Sequence, residues 1–401
     1  MNEKCFVMGW KLSTILALLI LSNSCSTSED ITVSEDENNT EDILIIAEED
    51  QTKPVENFTP EGQIEIFNQE KLDDNYILVN DAGANRVYLM NKEAKLLYEW
   101  SFTNNIGNDV YLLPNGNLLA SLEADDPQIQ IGGKGGRIQL VQPNGSVEWD
   151  FIYSSTEGET HHDIELLPNG NIIAMVWKSL SDIESAQIGY MKDEGIFIES
   201  IIEINPKTNQ IVWEWNSLNH LVQDYDITKP NYGGITENPN LIDINYIPRN
   251  DIETAVKGDL MHANAIAYDD VNDVILLSVN YYSEVWAVDH STTTEEAVGH
   301  VGGNFGKGGD LIYRFGNPET YQNPKGTRLF HNNHFPNLLK GEDQGKLLIF
   351  SNGNDIKQSA VYELELPSIY SLQPNFNNEP TVTWSFTDPN LYSEKVSGAV
   401  L

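Results

Sequence analysis

Cysteine is almost missing from this chain: Cys5 and Cys25 are the two it has, both within the first 25 of 401 residues. Beyond residue 25 there is therefore no disulfide framework and no cysteine-based zinc spacing. Basic residues are scarce too, 23 Lys and Arg against 61 Asp and Glu, for a formal charge of −38. Phosphate contact needs basic surface, so nonspecific nucleic-acid binding is excluded as a main role. Long apolar runs are also wanting. The run Leu12 to Leu21 is too short to span a bilayer as a mature helix. The glycines of Gly132-Gly133-Lys134-Gly135-Gly136 lack P-loop spacing and open no helix, so they read as a flexible loop rather than a phosphate cradle.

What is present at the N-terminus is a processing signal. Lys4 and Lys11 precede the apolar run, and Ser22-Asn23-Ser24-Cys25 follows it, with a small residue directly before the cysteine. Residues 1–25 are expected to be a lipoprotein-type signal peptide, with Cys25 as the acyl anchor. Residues 26–60 hold eleven acids and one lysine, with no strand pattern, and read as an acidic disordered tether. Together these features predict a cell-envelope protein held to a membrane by lipid, a periplasmic or outer-membrane lipoprotein of a Gram-negative bacterium.

From residue 61 to 401 the pattern is that of repeated β-hairpins. The segment His162-Asp163-Ile164-Glu165-Leu166-Leu167-Pro168-Asn169-Gly170-Asn171 is a polar residue, an alternating strand and a Pro-Asn-Gly turn. Asn108-Asp109-Val110-Tyr111-Leu112-Leu113-Pro114-Asn115-Gly116 matches it without a gap. His262-Ala263-Asn264-Ala265-Ile266 and His334-Phe335-Pro336-Asn337-Leu338 repeat the step. One asparagine and three histidines thus share a single repeat position. A second phrase closes each unit, as in Glu99-Trp100, Glu148-Trp149 and Trp213-Glu214-Trp215. Units of ~40 to 50 residues with four short strands mark the blades of a β-propeller, whose innermost strands face a common axis.

The predicted fold is therefore all-β, a propeller of the six-bladed type with five complete blades and a truncated sixth. Blades end at Phe102, Phe151, Trp215, Phe315 and Phe386, and Tyr392 to Leu401 resembles the opening of another inner strand, with Ser397 at the repeat position. Residues 216–260 fit no blade and carry His220, Tyr225, Tyr232 and Tyr246, which predicts a folded cover loop.

Several longer stretches resemble the bacterial arylsulfate sulfotransferases, in particular the branch with long loops. The carriers include His161-His162-Asp163-Ile164-Glu165, Gln223-Asp224-Tyr225-Asp226, Met261-His262-Ala263-Asn264, His290-Ser291-Thr292-Thr293-Thr294-Glu295-Glu296 and Gly308-Gly309-Asp310-Leu311-Ile312-Tyr313-Arg314-Phe315-Gly316-Asn317-Pro318. The resemblance implies a six-bladed propeller that moves a sulfuryl group between phenols through a sulfurylated histidine, with no nucleotide cofactor. Its partners would be a small aryl sulfate donor and a phenolic acceptor. Carried over by motif, it implies His334 as nucleophile, His162 and His262 as oxygen-binding and proton-handling partners, and Asn264 as a further donor. The substrate-binding set is completed by Asn280, Asn333, Lys178 and Asn108. Two departures stand out, with Asn333 a lesser third: the sixth blade that would close the ring and help wall the channel is missing, and a family arginine is replaced. Asn280 occupies a position where the family has arginine, which removes a fixed charge and a bidentate fork, and Lys178 is the candidate to compensate. Asn333 stands where glutamine is usual before the nucleophile.

The chemistry of the residues agrees with this reading. A neutral imidazole can carry a transferred group covalently, and neighbouring imidazoles can shuttle the phenolic proton. His331 is the alternative nucleophile. His161 is expected to point off the channel, since adjacent strand residues face opposite ways. His220, His290 and His300 read as loop or surface residues. The tryptophans read as packing between blades, and no metal is assigned. Two functions stay open: a sulfotransferase, or a catalytically impaired propeller of the same family that binds a ligand or a partner.

Overall fold

The computed structural model describes residues 61–64, 67–72 and 75–400. The expected signal peptide, the acidic tether and the anchor Cys25 lie outside the described residues. Among the described residues no helix is long and apolar enough to cross a membrane.

Five antiparallel sheets follow one another along the chain as the blades of a β-propeller. The first holds β1 (Ile77–Asp81), β2 (Arg86–Met90) and β3 (Leu96–Ser101). The second holds β4 (Ile106–Leu112), β5 (Leu118–Glu123), β6 (Gly136–Val141) and β7 (Val147–Ile152). The third holds β8 (Gly158–Leu166), β9 (Ile172–Leu180), β10 (Ile196–Asn205) and β11 (Gln210–Asn216). A parallel pair, β12 (Leu221–Val222) and β13 (Ile242–Asp243), lies in the segment before the fourth blade. That blade holds β14 (Ala263–Asp269), β15 (Val274–Val279), β16 (Glu284–Asp289) and β17 (Tyr313–Phe315). The fifth holds β18 (Asn333–Leu338), β19 (Lys346–Ser351), β20 (Ala360–Glu365) and β21 (Thr381–Phe386).

The Pro-Asn-Gly hairpins form because each glycine takes a left-handed backbone, φ 84° at both Gly116 and Gly170, that a side chain would strain. The asparagine oxygen before it caps the turn, as Asn115 and Asn169 do by accepting from Asn117 N and Asn171 N. Inner strands carry a different irregularity. Pairing register shifts at His161/Ile164 in β8, at Ala263/Ala265 in β14, at His334/Asn337 in β18 and at Ile106/Val110 in β4. The β4 and β8 bulges contain the repeat position predicted from sequence, and those of β14 and β18 follow it within two residues. A bulge re-aims side chains that strict alternation would send to opposite faces.

Buried apolar clusters fill each blade-to-blade seam. Leu78, Trp100 and Leu118 join the first and second blades, and Leu119, Phe151 and Ile202 join the second and third. Ile201, Trp215, Ile275 and Trp286 join the third and fourth; Ala267, Phe315, Phe330 and Ile349 join the fourth and fifth. Among the described residues no such cluster joins the fifth blade to the first. Trp100, Trp213 and Trp215 are buried as expected, whereas Trp384 is 51% exposed. The expectation of packing between blades is corrected for Trp384, because no described blade covers β21.

Two further expectations change. The first blade has three strands rather than four, because no described strand occupies the bulged inner position that β4, β8, β14 and β18 fill. Residues 392–400 form no strand. They lie along the fifth blade, where Asn352 Nδ2 donates to the carbonyls of Ser393 and Val396 (2.9 and 3.0 Å) and Asn337 Nδ2 to that of Ala399 (3.3 Å). Ser397 still has a positive φ of 90°, as His162 (51°) and His262 (48°) do.

Segment 216–260 is folded. Leu221, Val222, Ile242, Ile244, Tyr246 and Ile247 are buried, and α2 (Tyr246–Arg249) follows α1 (Asp182–Gln187), which lies in the third blade's insertion. Buried Arg314 pairs with Glu284 and donates to Leu241 O at 2.9 Å, pinning the segment to the fourth blade.

Candidate active site

The bulges bring imidazoles from three blades together. His162 lies in β8, His262 directly before β14, and His334 in β18. The rings of His162 and His262 meet edge to face with centroids 4.9 Å apart. A charge on His334 depresses the titration of His162, and one on His262 depresses that of His334.

Each ring is held through Nδ1 by a different kind of group. His262 Nδ1 donates to Asp259 Oδ2 at 2.6 Å. His334 Nδ1 lies 2.6 Å from Asn352 Oδ1. The Asn352 amide cannot be turned around, because its Nδ2 donates to two carbonyls. His334 therefore carries its hydrogen on Nδ1. His162 Nδ1 is 2.8 Å from Nδ1 of His161, whose Nε2 is 2.9 Å from Glu199 Oε2. Among the described contacts, Nε2 of all three rings has no partner.

The partners set the charges. Burial holds His334 down to about 4, its neighbour His262 adding to the effect against the opposing Asn352 bond. Burial likewise holds His162 well below the usual range, with the charges of His262, His161 and His334 reinforcing it. Burial pulls His262 down as well, but the Asp259 hydrogen bond and the charges of Asp259 and Glu199 outweigh it, and its pKa is raised. The set is one ring inclined to hold a proton and two kept neutral.

His161, expected to point off the channel, is fully buried and bonded to His162, a contact the alternation did not anticipate. Residues 162 and 163 are extra in the ladder between His161 and Ile164, so both histidines are buried and in contact. His161 stacks on Trp177 with centroids 4.0 Å apart, which fixes its plane. Burial raises Glu199 well above the usual carboxylate range, with the charge of Asp259 adding to it and Ala263 N–H and His262 opposing. Glu199, His161 and His162 form a chain with two self-consistent states. With Glu199 protonated, each group donates to the next and His162 bears hydrogen on Nε2. With Glu199 ionised, every bond reverses and His162 Nε2 is a lone pair.

Around His334 lies a network of amides. Asn280 Nδ2 is 3.4 Å from His334 Nδ1 and donates to Asn333 O at 3.1 Å; its Oδ1 accepts from Asn332 Nδ2 at 2.9 Å. Asn264 Nδ2 donates to the same Asn333 carbonyl at 2.8 Å, while Asn333 Nδ2 donates to Ser278 Oγ and Glu284 O. Asn264 Oδ1 and Asn333 Oδ1 are buried without a protein partner. The structure thus brings Asn264, Asn280 and Asn333 to His334. Lys178 does not join them: its ammonium donates to Tyr153 Oη at 2.7 Å and pairs with Glu214 at 3.2 Å, so its charge is engaged on its own blade. Asn108 is in β4, but its side chain lies outside the described residues. His331 pairs with Asp355 and shares no described contact with the three rings.

Sequence reasoning missed the glycine loop. A Cβ on Gly133 would lie 2.1 Å from Cε1 of the His162 ring, and one on Gly132 would lie 3.4 Å from His262 Cε1. The loop read as flexible is packed against both imidazoles, and Lys134 within it pairs with Glu123. Paired glycines were the available signal, since they also mark close backbone approach. Asp259 and Glu199 carried no motif at all. His220 and His290 lie in turns, as expected, but their side chains are buried rather than on the surface. His220 is wholly buried between Asp310 and Ala297 O, and His290 bridges Asp273 and Glu203.

Among solved structures, the chain aligns with a protein of unknown function from Bacteroides caccae at 13% identity and TM-score 0.41, covering 75% of this chain and 72% of that one. A luciferin-regenerating enzyme aligns at 10% identity and TM-score 0.38, covering 78% and 73%. Hydrazine synthase of Kuenenia stuttgartiensis aligns at 13% and 0.37, covering 73% and 68%. Scores this low imply nothing about chemistry. No curated protein matches. The sequence model described as Arylsulfotransferase (ASST) matches residues 30–399, so the chain belongs to the arylsulfotransferase family.

Proposed function

We propose that this protein is an aryl-sulfate sulfotransferase that passes a sulfuryl group from a phenolic sulfate ester to a phenol through a sulfohistidine at His334. The observation that carries the reading is the arrangement of three imidazoles with every Nδ1 occupied and, among the described residues, no partner at any Nε2. His334 Nε2 is a lone pair on a neutral ring above about pH 4. It attacks sulfur, the bond from sulfur to the aryl oxygen breaks, and the departing phenolate takes the proton of His262 Nε2. The positive charge left on the sulfurylated ring is stabilised by Asn352 Oδ1 at Nδ1–H. In the second half, neutral His262 takes the proton of the acceptor phenol, whose oxygen attacks sulfur and releases His334. His162, with His161 and Glu199 behind it, contacts the sulfuryl oxygens and delivers or accepts hydrogen at Nε2 as their charge changes. Splitting one displacement into two is the gain of the covalent route, and preset donors around the oxygens lower both barriers.

A second reading is favoured by one observation. Asn280, where the resemblance implies arginine, has its amide engaged by Asn333 and Asn332 and brings no cation to His334. A propeller of this family that binds an aryl sulfate without turning it over would look the same. Incubation with a chromogenic aryl sulfate and a phenol acceptor separates the two. Acceptor-dependent phenol release, abolished in His334→Ala together with a sulfuryl adduct on the His334 peptide, supports the transferase. Saturable binding with no release and no adduct supports the second reading.

A further inference from the structure

We infer a second site, for a divalent transition-metal ion of the zinc type, at His220, His300 and Asp310. One ligand atom from each lies within 4.8 Å of the others, the single such cluster among the described residues. His220 ends a short turn, Ser217–His220, that follows β11; His300 and Asp310 bracket the glycine-rich excursion between α3 (Thr294–Val298) and β17.

The case rests on the hydrogens of His220. Its Nε2 is 2.8 Å from Ala297 O, a carbonyl that can only accept, so Nε2 carries hydrogen. In a neutral ring Nδ1 is then a bare lone pair, and it points at Asp310 Oδ1 from 2.8 Å. Two lone pairs at that separation repel, in a place where His220 is fully buried. A cation between them resolves the conflict, either a proton or a metal ion. His300 Nδ1 approaches the same carboxylate oxygen at 2.7 Å, so a second imidazole converges on the point the cation must occupy.

Three features suit a metal ion at this point. A ligating histidine ordinarily donates its other ring N–H to a carbonyl or carboxylate, which fixes its tautomer, and Ala297 O does this for His220. The His220 plane is set by stacking on Trp215, with centroids 5.8 Å apart and planes at 2°, and the Trp215 indole is itself held by Gly309 O at 2.7 Å. Two imidazoles and one carboxylate with an open fourth position match the donor set of zinc and its neighbours. Tetrahedral zinc at ~2.0–2.1 Å from each ligand places donor atoms ~3.3 Å apart. The present 2.7 and 2.8 Å must therefore widen by about half an ångström. His300, whose side chain is 61% exposed, can provide this on its own side, and a small rotation of the Asp310 carboxylate can provide it toward His220.

The entry path is the same exposed side. His300 also borders a cavity of about 290 Å³, lined in addition by Leu218, Leu221, Tyr232 and Asn238. The ion would clamp the glycine-rich excursion to the first turn of the cover segment, fastening two irregular stretches to each other.

The test uses the purified chain, stripped with chelator and titrated with Zn2+ or Co2+ alone. One ion per chain should bind, Co2+ should give the visible ligand-field bands of a low-coordinate site, and the thermal unfolding temperature should rise. His300→Ala, at an exposed position that leaves the fold intact, should weaken binding by about 100-fold or more and abolish the stabilisation. His331→Ala, another histidine paired with an aspartate, should bind as the parent does. Failure of the parent chain to bind one ion at micromolar concentration overturns the inference, as does binding that survives both His300→Ala and Asp310→Asn. Neither result bears on His334, which shares no residue with this site.

Discussion

The glycine at 133 offers a direct test of the imidazole cluster. A Cβ placed there would lie 2.1 Å from both Cε1 and Nδ1 of His162 and 2.5 Å from Cγ. Ordinary contact begins near 3.5 Å, so in Gly133→Ala either the loop or the ring must retreat by more than ~1 Å. A displaced ring loses the 2.8 Å bond to His161. Displacement of about 1 Å in a group that contacts substrate lowers turnover by ~10²-fold. The backbone adds its own term, because φ is +60° at Gly133 and alanine there costs roughly 1–2 kcal/mol. Gly170→Ala separates the two effects: φ is +84° there, yet nothing lies within 4 Å of the new Cβ. On thermal unfolding Gly170→Ala should lose the backbone term alone, and Gly133→Ala that term plus the cost of moving the ring or loop. Gly133→Ala alone should lose sulfuryl transfer from a chromogenic donor. Parental turnover in Gly133→Ala would show that the loop does not position His162 and would refute the reasoning.

Three other perturbations follow from the same structure. Asn352→Ala removes the acceptor that fixes the His334 tautomer, and should lower kcat about 10²-fold with KM little changed; steady-state kinetics showing unaltered kcat would count against the tautomer argument. Glu379, which accepts from Gly316 N, is raised by burial from 4.5 to about 8. The folded state therefore keeps a proton that the unfolded chain releases, and stability should fall as pH rises from about 4.5 to about 8, by at most ~5 kcal/mol. Denaturant titrations across that window should show the slope in the parent and a much flatter profile in Glu379→Gln. Arg314→Met leaves Glu284 buried without its partner and releases the Leu241 carbonyl, so chemical denaturation should report a loss of about 3–5 kcal/mol.

The blades were legible because hairpin chemistry is local. A Pro-Asn-Gly turn, a two-residue alternation and an aromatic phrase each act within a dozen residues, and His162, His262 and His334 could be aligned from them alone. What could not be read was decided by long-range or irregular geometry. His161 was assigned to the opposite face by alternation, which could not foresee its bond to His162 at the bulge between His161 and Ile164. Asp259 and Glu199 sit in no repeat, and their roles depend on β10 and the cover segment arriving beside β14; Phe197 N donates to Gly258 O at 2.8 Å, and Ala263 N to Glu199 Oε1 at 2.9 Å. Glycine pairs carry two meanings, freedom and closeness. Only the neighbours of Gly132 and Gly133 decide between them. The exposure of Trp384 follows from what stands beside its blade rather than from its phrase, which matches that of Trp213 and Trp215.

A repeat gives identical positions, whereas two-step group transfer needs unlike ones: a neutral nucleophile, an acid that becomes a base, and a polar contact that can turn its hydrogen around. Between His162 and His262 the backbone does not supply the difference, since both share the same left-handed conformation. It comes from what each blade places at Nδ1. A carboxylate behind His262 favours the cation, an amide oxygen behind His334 fixes a tautomer without adding charge, and an imidazole behind His162 leaves the hydrogen reversible. Environments that drive equivalent groups apart are the mark of divided acid and base roles. Asn280, where the resemblance implies arginine, brings no charge of its own to the pH dependence of the proposed transfer. With no fixed cation beside His334, the proton on His262 is the main positive charge available to a bound sulfate, so binding as well as transfer should weaken together as pH rises through the His262 titration. An enzyme with arginine at that place would lose transfer alone.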